Sequence, residues 1–301
     1  LLFGLVGLSA AMVAIYQLNR SFLAVVAPGQ DDVANVIYRH RSRHWGPKIV
    51  AIGGGKGLSI LLRGLKEHTA NLTAIITVGD DSGEAGQLRE ELGALPPSDF
   101  RECLVALADA EPLVTDLFQY RFNKGYGLDG RSFGDLFISA MEAIAGDFEK
   151  TLEESSRVLA IRGRILPSTL ERITLRAHLA NQEIVLGETS ISHAQAPIEK
   201  VSLQPENPPA YPETTKALRE ADMIVIGPGS LYTNLLPNLL IKGIAQAIRA
   251  SRALKVYVCN VATQPGATSG YNVSDHVKAL DRHVGGGLIH YVVANRRYLD
   301  I

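Results

Sequence analysis

Cysteine is scarce in this chain: its 301 residues include only Cys103 and Cys259, far apart in sequence. That excludes a disulfide framework and a paired-cysteine zinc site, and it fits a reducing compartment. An excess of either charge is also lacking, with 30 Lys plus Arg against 31 Asp plus Glu. A bulk nucleic-acid binder would show a basic excess or stripe, so nucleic acid is not an expected partner. There is no internal repeat of fixed period and no low-complexity tract. His193, His276, His283 and His290 show no H-E-x-x-H or similar spacing and read as structural or surface histidines. Apolar residues are not lacking. At 46% of the chain they exclude disorder and a collagen-like structure. The length allows two small domains or one large α/β domain.

One long apolar run opens the chain. Leu1 to Leu18 contains no charged residue, and the first charge is Arg20. A bilayer core needs about 20 apolar helical residues, so this run is just long enough to span. Arg20, Arg39, Arg41, Arg43 and Lys48 follow it, outnumbering Asp31 and Asp32. Basic flanks mark the cytoplasmic side, so the body is expected on the cytoplasmic face of a membrane. A cleaved signal peptide is the weaker reading, because no basic n-region and no small-residue cleavage site stand out. Residues 1–27 are therefore read as a transmembrane anchor. Residues 28–47, with the breakers Pro28-Gly29 and Gly46-Pro47, are read as a juxtamembrane linker.

The body is read as residues 48–301. KIVAI (48–52) is a short apolar run followed by Gly53-Gly54-Gly55-Lys56-Gly57, and LSILLRGLKEH (58–68) has helical period. A second strand, 72–78, ends in Gly79-Asp80-Asp81-Ser82-Gly83. Helices are expected at about 99–109, 112–121 and 134–147. From 157 to 191 apolar and polar residues alternate, the period of antiparallel strands with one solvated face. A proline-rich loop follows, with Pro205, Pro208, Pro209 and Pro212. Strands then recur at 222–227, 255–259 and 288–294, with helical pattern at 238–250 and 274–282. Strands alternating with helices imply an α/β fold whose mainly parallel sheet is covered on both faces. Strands 48–52, 72–78, 222–227 and 255–259 are expected as parallel neighbours, with 157–191 as an antiparallel β insertion.

Ligands of open α/β sheets bind at the carboxyl ends of the strands, and the unusual residues gather there. The loop of Gly53, Gly54, Gly55, Lys56, Gly57, Leu58 and Ser59 follows a strand and opens a helix. Its glycines admit an anion to backbone N–H groups at a helix N-terminus. The spacing is neither Walker A nor G-x-G-x-x-G. Asp80 and Asp81, with Ser82, end the second strand. They could hold Mg²⁺ beside phosphates, accept bonds from sugar hydroxyls, or cap a solvated turn. Gly227, Pro228, Gly229, Ser230, Leu231, Tyr232 and Thr233 form a second anion-loop candidate, rich in hydroxyls. Asn260, Thr263 and Gln264 are placed to read a base or a sugar. Cys259 reads as packing rather than catalysis. No cofactor follows firmly from the residues, Mg²⁺ at the aspartates being the one considered.

The stretches IVAIGGGKGLSILLRGLK, ITVGDDSGEAGQLR, ECLVALAD, RSFGDLF, ADMIVIGPGSLYTNLLPNLL and KVYVCNVATQPGATSGYNVSDHV, in this order, resemble the YvcK or gluconeogenesis-factor family of the CofD-like superfamily. The resemblance runs from about Lys48 to His283. It implies a Rossmann-like fold with an antiparallel insertion and binding of a nucleotide-sugar such as UDP-N-acetylglucosamine or UDP-glucose. It also implies a regulatory role in bacterial cell shape and carbon metabolism rather than an established enzymatic activity. An alternative implied by the CofD relatives is transfer of a phospholactyl-type group to a deazaflavin, with Mg²⁺ near the aspartates. NAD(P) binding is a third reading, since a glycine-rich strand–helix turn suits a dinucleotide. The chain departs from the family at Lys56, where Thr is usual, and within 80–89. It also carries Glu102 and Asp135 where Asn is usual. A homo-oligomer is compatible with all three readings.

Overall fold

The computed structural model describes Gly7, residues 12–17, Arg43, and residues 45–79, 98–109, 112–123, 128 and 130–296. Leu1–Gly46 and Pro47–Ile301 are two separate units. In the first, residues 12–17 are helical, with Met12, Val13, Ile15 and Tyr16 exposed. Among the described residues no helix is long and apolar enough to cross a membrane. Most of the anchor segment expected at 1–27 lies outside the described residues, as do Asp80, Asp81 and Ser82.

In the second unit, β1 (Ile49–Gly53) and β2 (Leu72–Ile76) are buried at every position. Uninterrupted apolar strands of this kind suit a parallel sheet covered on both faces. With β3 (Arg164–Pro167), β7 (Met223–Ile226), β8 (Leu254–Val258) and β9 (Tyr291–Val293) they form a six-stranded sheet in the order β3-β2-β1-β7-β8-β9. Every pairing is parallel, with Ile52 opposite Ile75 on one side and Ile226 on the other. The four strands expected as parallel neighbours are adjacent. The chain builds outward from β1 to β3 in one direction and from β7 to β9 in the other. That order places the topological switch between β1 and β7, where the two glycine loops leave the sheet.

Three further strands, β4 (Thr174–Leu179), β5 (Ile184–Leu186) and β6 (Ile198–Gln204), form a smaller antiparallel sheet in the order β5-β4-β6. The insertion thus begins and ends later than the alternation at 157–191 implied. The Phe148–Val158 helix takes the start of that stretch, and β3 belongs to the parallel sheet. The period misleads at β3 because an edge strand is half exposed: buried Ile165 and Pro167 alternate with outward positions. The helix signal was present in the sequence. Asp147 accepts Lys150 N–H at 2.8 Å, and Phe148, Thr151, Leu152 and Ser155 fall on one buried face. The proline-rich loop likewise ends sooner than its composition suggests. Pro212 opens the Pro212–Glu220 helix, a position where its missing N–H is no loss.

Candidate functional site

At the switch point the two glycine loops touch. The Gly55–Leu65 helix starts immediately after β1. β7 runs into Gly227-Pro228-Gly229-Ser230 and a π-helical turn, Leu231–Leu235, which continues as the Leu236–Leu240 helix. Gly227 N–H donates to Ile52 O at 2.8 Å, tying the second loop to the end of β1. A Cβ on Gly57 would lie 2.9 Å from Pro228 O, so only glycine lets the backbones meet there. A Cβ on Gly54 would lie 2.3 Å from Asp99 Oδ2 and 2.8 Å from Asn234 Nδ2. The loops expected to face each other are therefore brought into direct contact at the carboxyl ends of the two central strands.

Three side chains that the sequence motifs do not single out organise this junction. Asp99, in the first turn of the Ser98–Leu107 helix, accepts Gly55 N–H through Oδ1 at 2.7 Å. One backbone donor at the helix N-terminus is thus already engaged by a carboxylate, as an anion would engage it. Asn234 Oδ1 accepts Ser230 N–H at 3.3 Å. Asn238 Nδ2 donates to Asn234 O at 2.7 Å and to Gly53 O at 3.3 Å. The signal for the two asparagines was their four-residue spacing inside the apolar run NLLPNLL. Buried amides at one turn's separation belong to a polar seam, not to a surface. Ser230 Oγ and Asn238 Oδ1 are buried with no hydrogen-bond partner among the described residues.

The expected site residues divide by burial. Lys56 is exposed on the first helical turn, and Ser59 Oγ donates to Lys56 O at 2.9 Å. Leu58, Ser59, Leu231, Tyr232 and Thr233 are buried, so their side chains pack instead of lining an open surface. Tyr232 OH lies 2.8 Å from Tyr271 OH, and burial pushes its ionisation far up. Asn260 holds the backbone of Gly229 through both ends of its amide. Thr263 is exposed and Gln264 half-buried in the loop after β8. Cys103 and Cys259 are buried thiols, and burial raises the ionisation of both.

Near the first loop lie one buried ion pair and one half-buried carboxylate. Arg101 Nε lies 2.8 Å from Asp135 Oδ1, with both side chains buried. Asp135 sits in the first turn of the Phe133–Ala145 helix, where Ser132 Oγ accepts Asp135 N–H at 3.0 Å. Glu102 is half-buried with Oε2 unpartnered, and burial raises its carboxyl above the ordinary 4.5 against the pull of Arg101 and Lys56. Among the described residues no group of three or more His, Cys, Asp or Glu is gathered to hold a metal ion.

Residues 49–300 match the family described as 2-phospho-L-lactate transferase CofD. A relative from Nostoc sp. is 55% identical over 266 residues, 88% of this chain and 58% of that protein. A relative from Clostridium acetobutylicum is 48% identical over 295 residues, 96% of this chain and 65% of that protein. The chain thus spans less than two thirds of either. The Gluconeogenesis factor of Bacillus subtilis is 50% identical over 249 residues, covering 83% of this chain and 78% of that protein. The crystal structure of a UPF0052-family protein from Bacillus halodurans superposes with a TM-score of 0.82 at 46% identity, over 85% of this chain and 82% of that one. Agreement of sequence and fold over this much of the chain leads to a single assignment: the protein belongs to the CofD family and, within it, to the gluconeogenesis-factor (YvcK, UPF0052) group.

Proposed function

We propose that this protein is a nucleotide-sugar-binding regulatory protein, with the diphosphate held where the 53–59 and 227–233 loops meet. The observation that carries the reading is that these two glycine loops lie side by side at the carboxyl ends of β1 and β7, the switch point where ligands of open α/β sheets bind. A diphosphate needs several N–H donors, and one loop alone supplies few. UDP-N-acetylglucosamine or UDP-glucose is the ligand class, and Thr263 and Gln264 are the residues assigned to its sugar or base. Control of cell shape and carbon metabolism is the role that goes with it. Asp80 and Asp81 are assigned to the rim, near a ribose, the sugar or Mg²⁺. The uncharged run from Leu1 to Leu18 is assigned as a membrane anchor, with the body on the cytoplasmic face.

A second reading, transfer of a phospholactyl-type group to a deazaflavin, is favoured by one observation, the match to the CofD description over residues 49–300. A thermal-stability titration separates the two. Binding stabilises by RT ln(1 + [L]/Kd), about 2.7 kcal/mol at a hundredfold excess over Kd. UDP-N-acetylglucosamine or UDP-glucose should raise the melting temperature, and NAD or a deazaflavin should not. A shift with the deazaflavin alone would favour the transferase, and a shift with NAD alone would favour dinucleotide binding. For the anchor, the full-length protein should sediment with membranes. Its recovery in the soluble fraction would remove that part of the reading.

A further inference from the structure

A cavity of about 530 Å³ opens beside the loop that follows β8. Small-molecule sites commonly occupy roughly 300–1,000 Å³, so this one has room for a ligand. One wall is residues 192–197, which leave the Glu188–Ser192 helix and lead into β6. The other is residues 265–271. The walls meet at Gly266, whose φ is +78° and where a Cβ would lie 2.9 Å from Ala194 O. Tyr271 ties the cavity to the second glycine loop, since its OH lies 2.8 Å from the OH of Tyr232. β7 and β8 are parallel neighbours, so the loop after β8 leaves the sheet about 5 Å from the loop after β7. A sugar carried on the terminal phosphate bridges a gap of that size.

Among the described residues no Lys, Arg, Asp or Glu lines the cavity, so it suits an uncharged group and offers no partner to a phosphate. What it offers is acceptors. His193 Nδ1 lies 2.8 Å from Thr189 O, so the neutral ring carries its proton there and Nε2 is left to accept. Gln195 uses Nε2 on His193 O at 3.0 Å, and Oε1 is left to accept. Ser192 and Ser269 add hydroxyls. Ser269 Oγ accepts Gly266 N–H at 3.3 Å and keeps its own proton to donate. A pyranose brings several hydroxyl donors to such a lining. The two carbonyls of a uracil would face acceptors there instead.

We propose that this cavity receives the sugar of the nucleotide-sugar, an inference that rests on the nucleotide-sugar reading and assigns the sugar, not the base, to this end of the site. The sugar hydroxyls donate to His193 Nε2 and Gln195 Oε1, and the ring lies against Pro265 and Tyr271. The small antiparallel sheet thereby acquires a part in recognition, because the chain between its strands β5 and β6 supplies both acceptors.

The test is isothermal titration of the full chain with UDP, UDP-glucose and UDP-N-acetylglucosamine, for the wild type and the H193A/Q195A double variant. Both residues are exposed, so the variant should keep the wild-type melting temperature. The wild type should bind a UDP-sugar about tenfold or more tightly than UDP. The variant should lose about tenfold of that affinity, a few-fold for each neutral hydrogen bond removed, and should bind UDP as the wild type does. Ser269→Trp, which fills the cavity from an exposed position, should act in the same way. Failure of the wild type to bind UDP or either UDP-sugar would overturn the nucleotide-sugar reading and this inference with it. Wild-type binding of UDP as tight as that of the UDP-sugars, or unchanged UDP-sugar binding by both variants, would overturn this inference alone. So would an equal loss for UDP and UDP-sugars in the double variant, which would put the base in the cavity.

Discussion

Asn260 grips Gly229 by both of its backbone groups: Oδ1 accepts Gly229 N–H at 3.0 Å, and Nδ2 donates to Gly229 O at 2.8 Å. A residue in the loop after β8 thereby fixes the loop that follows β7. A side chain placed by the sequence as a reader of ligand is engaged in holding the second glycine loop in shape. Replacing it with Ala should leave a part-buried N–H and C=O without partners. N260A is expected to lose about 1–3 kcal/mol of stability in urea denaturation. An unchanged midpoint would show that the loop does not need the clamp.

The contact between the two loops has its own test. Gly57→Ala places a methyl 2.9 Å from Pro228 O, and backbone cannot yield as a flexible side chain can. Overpacking of this kind costs about 1–3 kcal/mol. A methyl group added at Gly64, on the same helix, would meet nothing within 4 Å. Gly64→Ala should be neutral or mildly stabilising, since alanine favours a helix interior. Equal effects from the two substitutions in thermal melts would contradict the close approach.

His283 gives the fold a pH dependence. Its Nε2 accepts Val201 N–H at 3.0 Å, so the neutral ring carries its proton on Nδ1, 2.7 Å from Ala279 O. Burial holds its pKa below the ordinary 6.5, Arg282 and Lys200 adding to the depression against the bond to Ala279. Because the folded value is the lower one, the contribution to stability is complete above about 6.5. It is lost as pH falls through the folded pKa. Urea midpoints should drop between pH 7.5 and pH 5.5 and drop less in His283→Leu. A parallel fall in both proteins would assign the effect elsewhere.

Glu102 acts with the opposite sign. Burial raises its folded pKa above 4.5, so its contribution is present at low pH and lost as pH rises through the folded value. Glu102→Gln should therefore be more stable than the wild type at pH 7.5, with the difference shrinking at pH 4.5. A destabilised variant at pH 7.5 would mean that the carboxylate has a partner it needs.

Much of this architecture is readable in sequence because it is written in apolar runs. IVAIG and LTAII have no polar interruption beyond a single threonine, and a doubly covered parallel strand accommodates that. β3 is not readable as parallel, because its exposed edge gives RILP the alternation of a surface strand. The glycine loops are legible as loops with a shared position, since each follows a strand and precedes a helix. Their internal wiring is not. Asp99 is distant from Gly55 in sequence, and nothing local says that its carboxylate caps that N–H. The place of Tyr232 in GPGSLYT suggests a ligand hydroxyl, yet helical phase turns it inward to Tyr271.

Isothermal titration of UDP-N-acetylglucosamine against the wild type, Gly229→Val and Lys56→Thr bears hardest on the proposed site. A Cβ on Gly229 would sit 3.4 Å from Gly54 O and 3.4 Å from Leu235 Cδ2, so one carbon fits and the branched valine intrudes between the loops. Saturable binding is expected for the wild type and none for Gly229→Val, with its circular dichroism unchanged. Binding to Lys56→Thr should be equal to wild type, because the contact is assigned to backbone amides of the loops other than those of Gly55, Gly229 and Ser230, which Asp99, Asn260 and Asn234 engage. Wild-type affinity in Gly229→Val would contradict the site, and a loss of about 1.5–3 kcal/mol in Lys56→Thr would contradict its backbone-dominated chemistry.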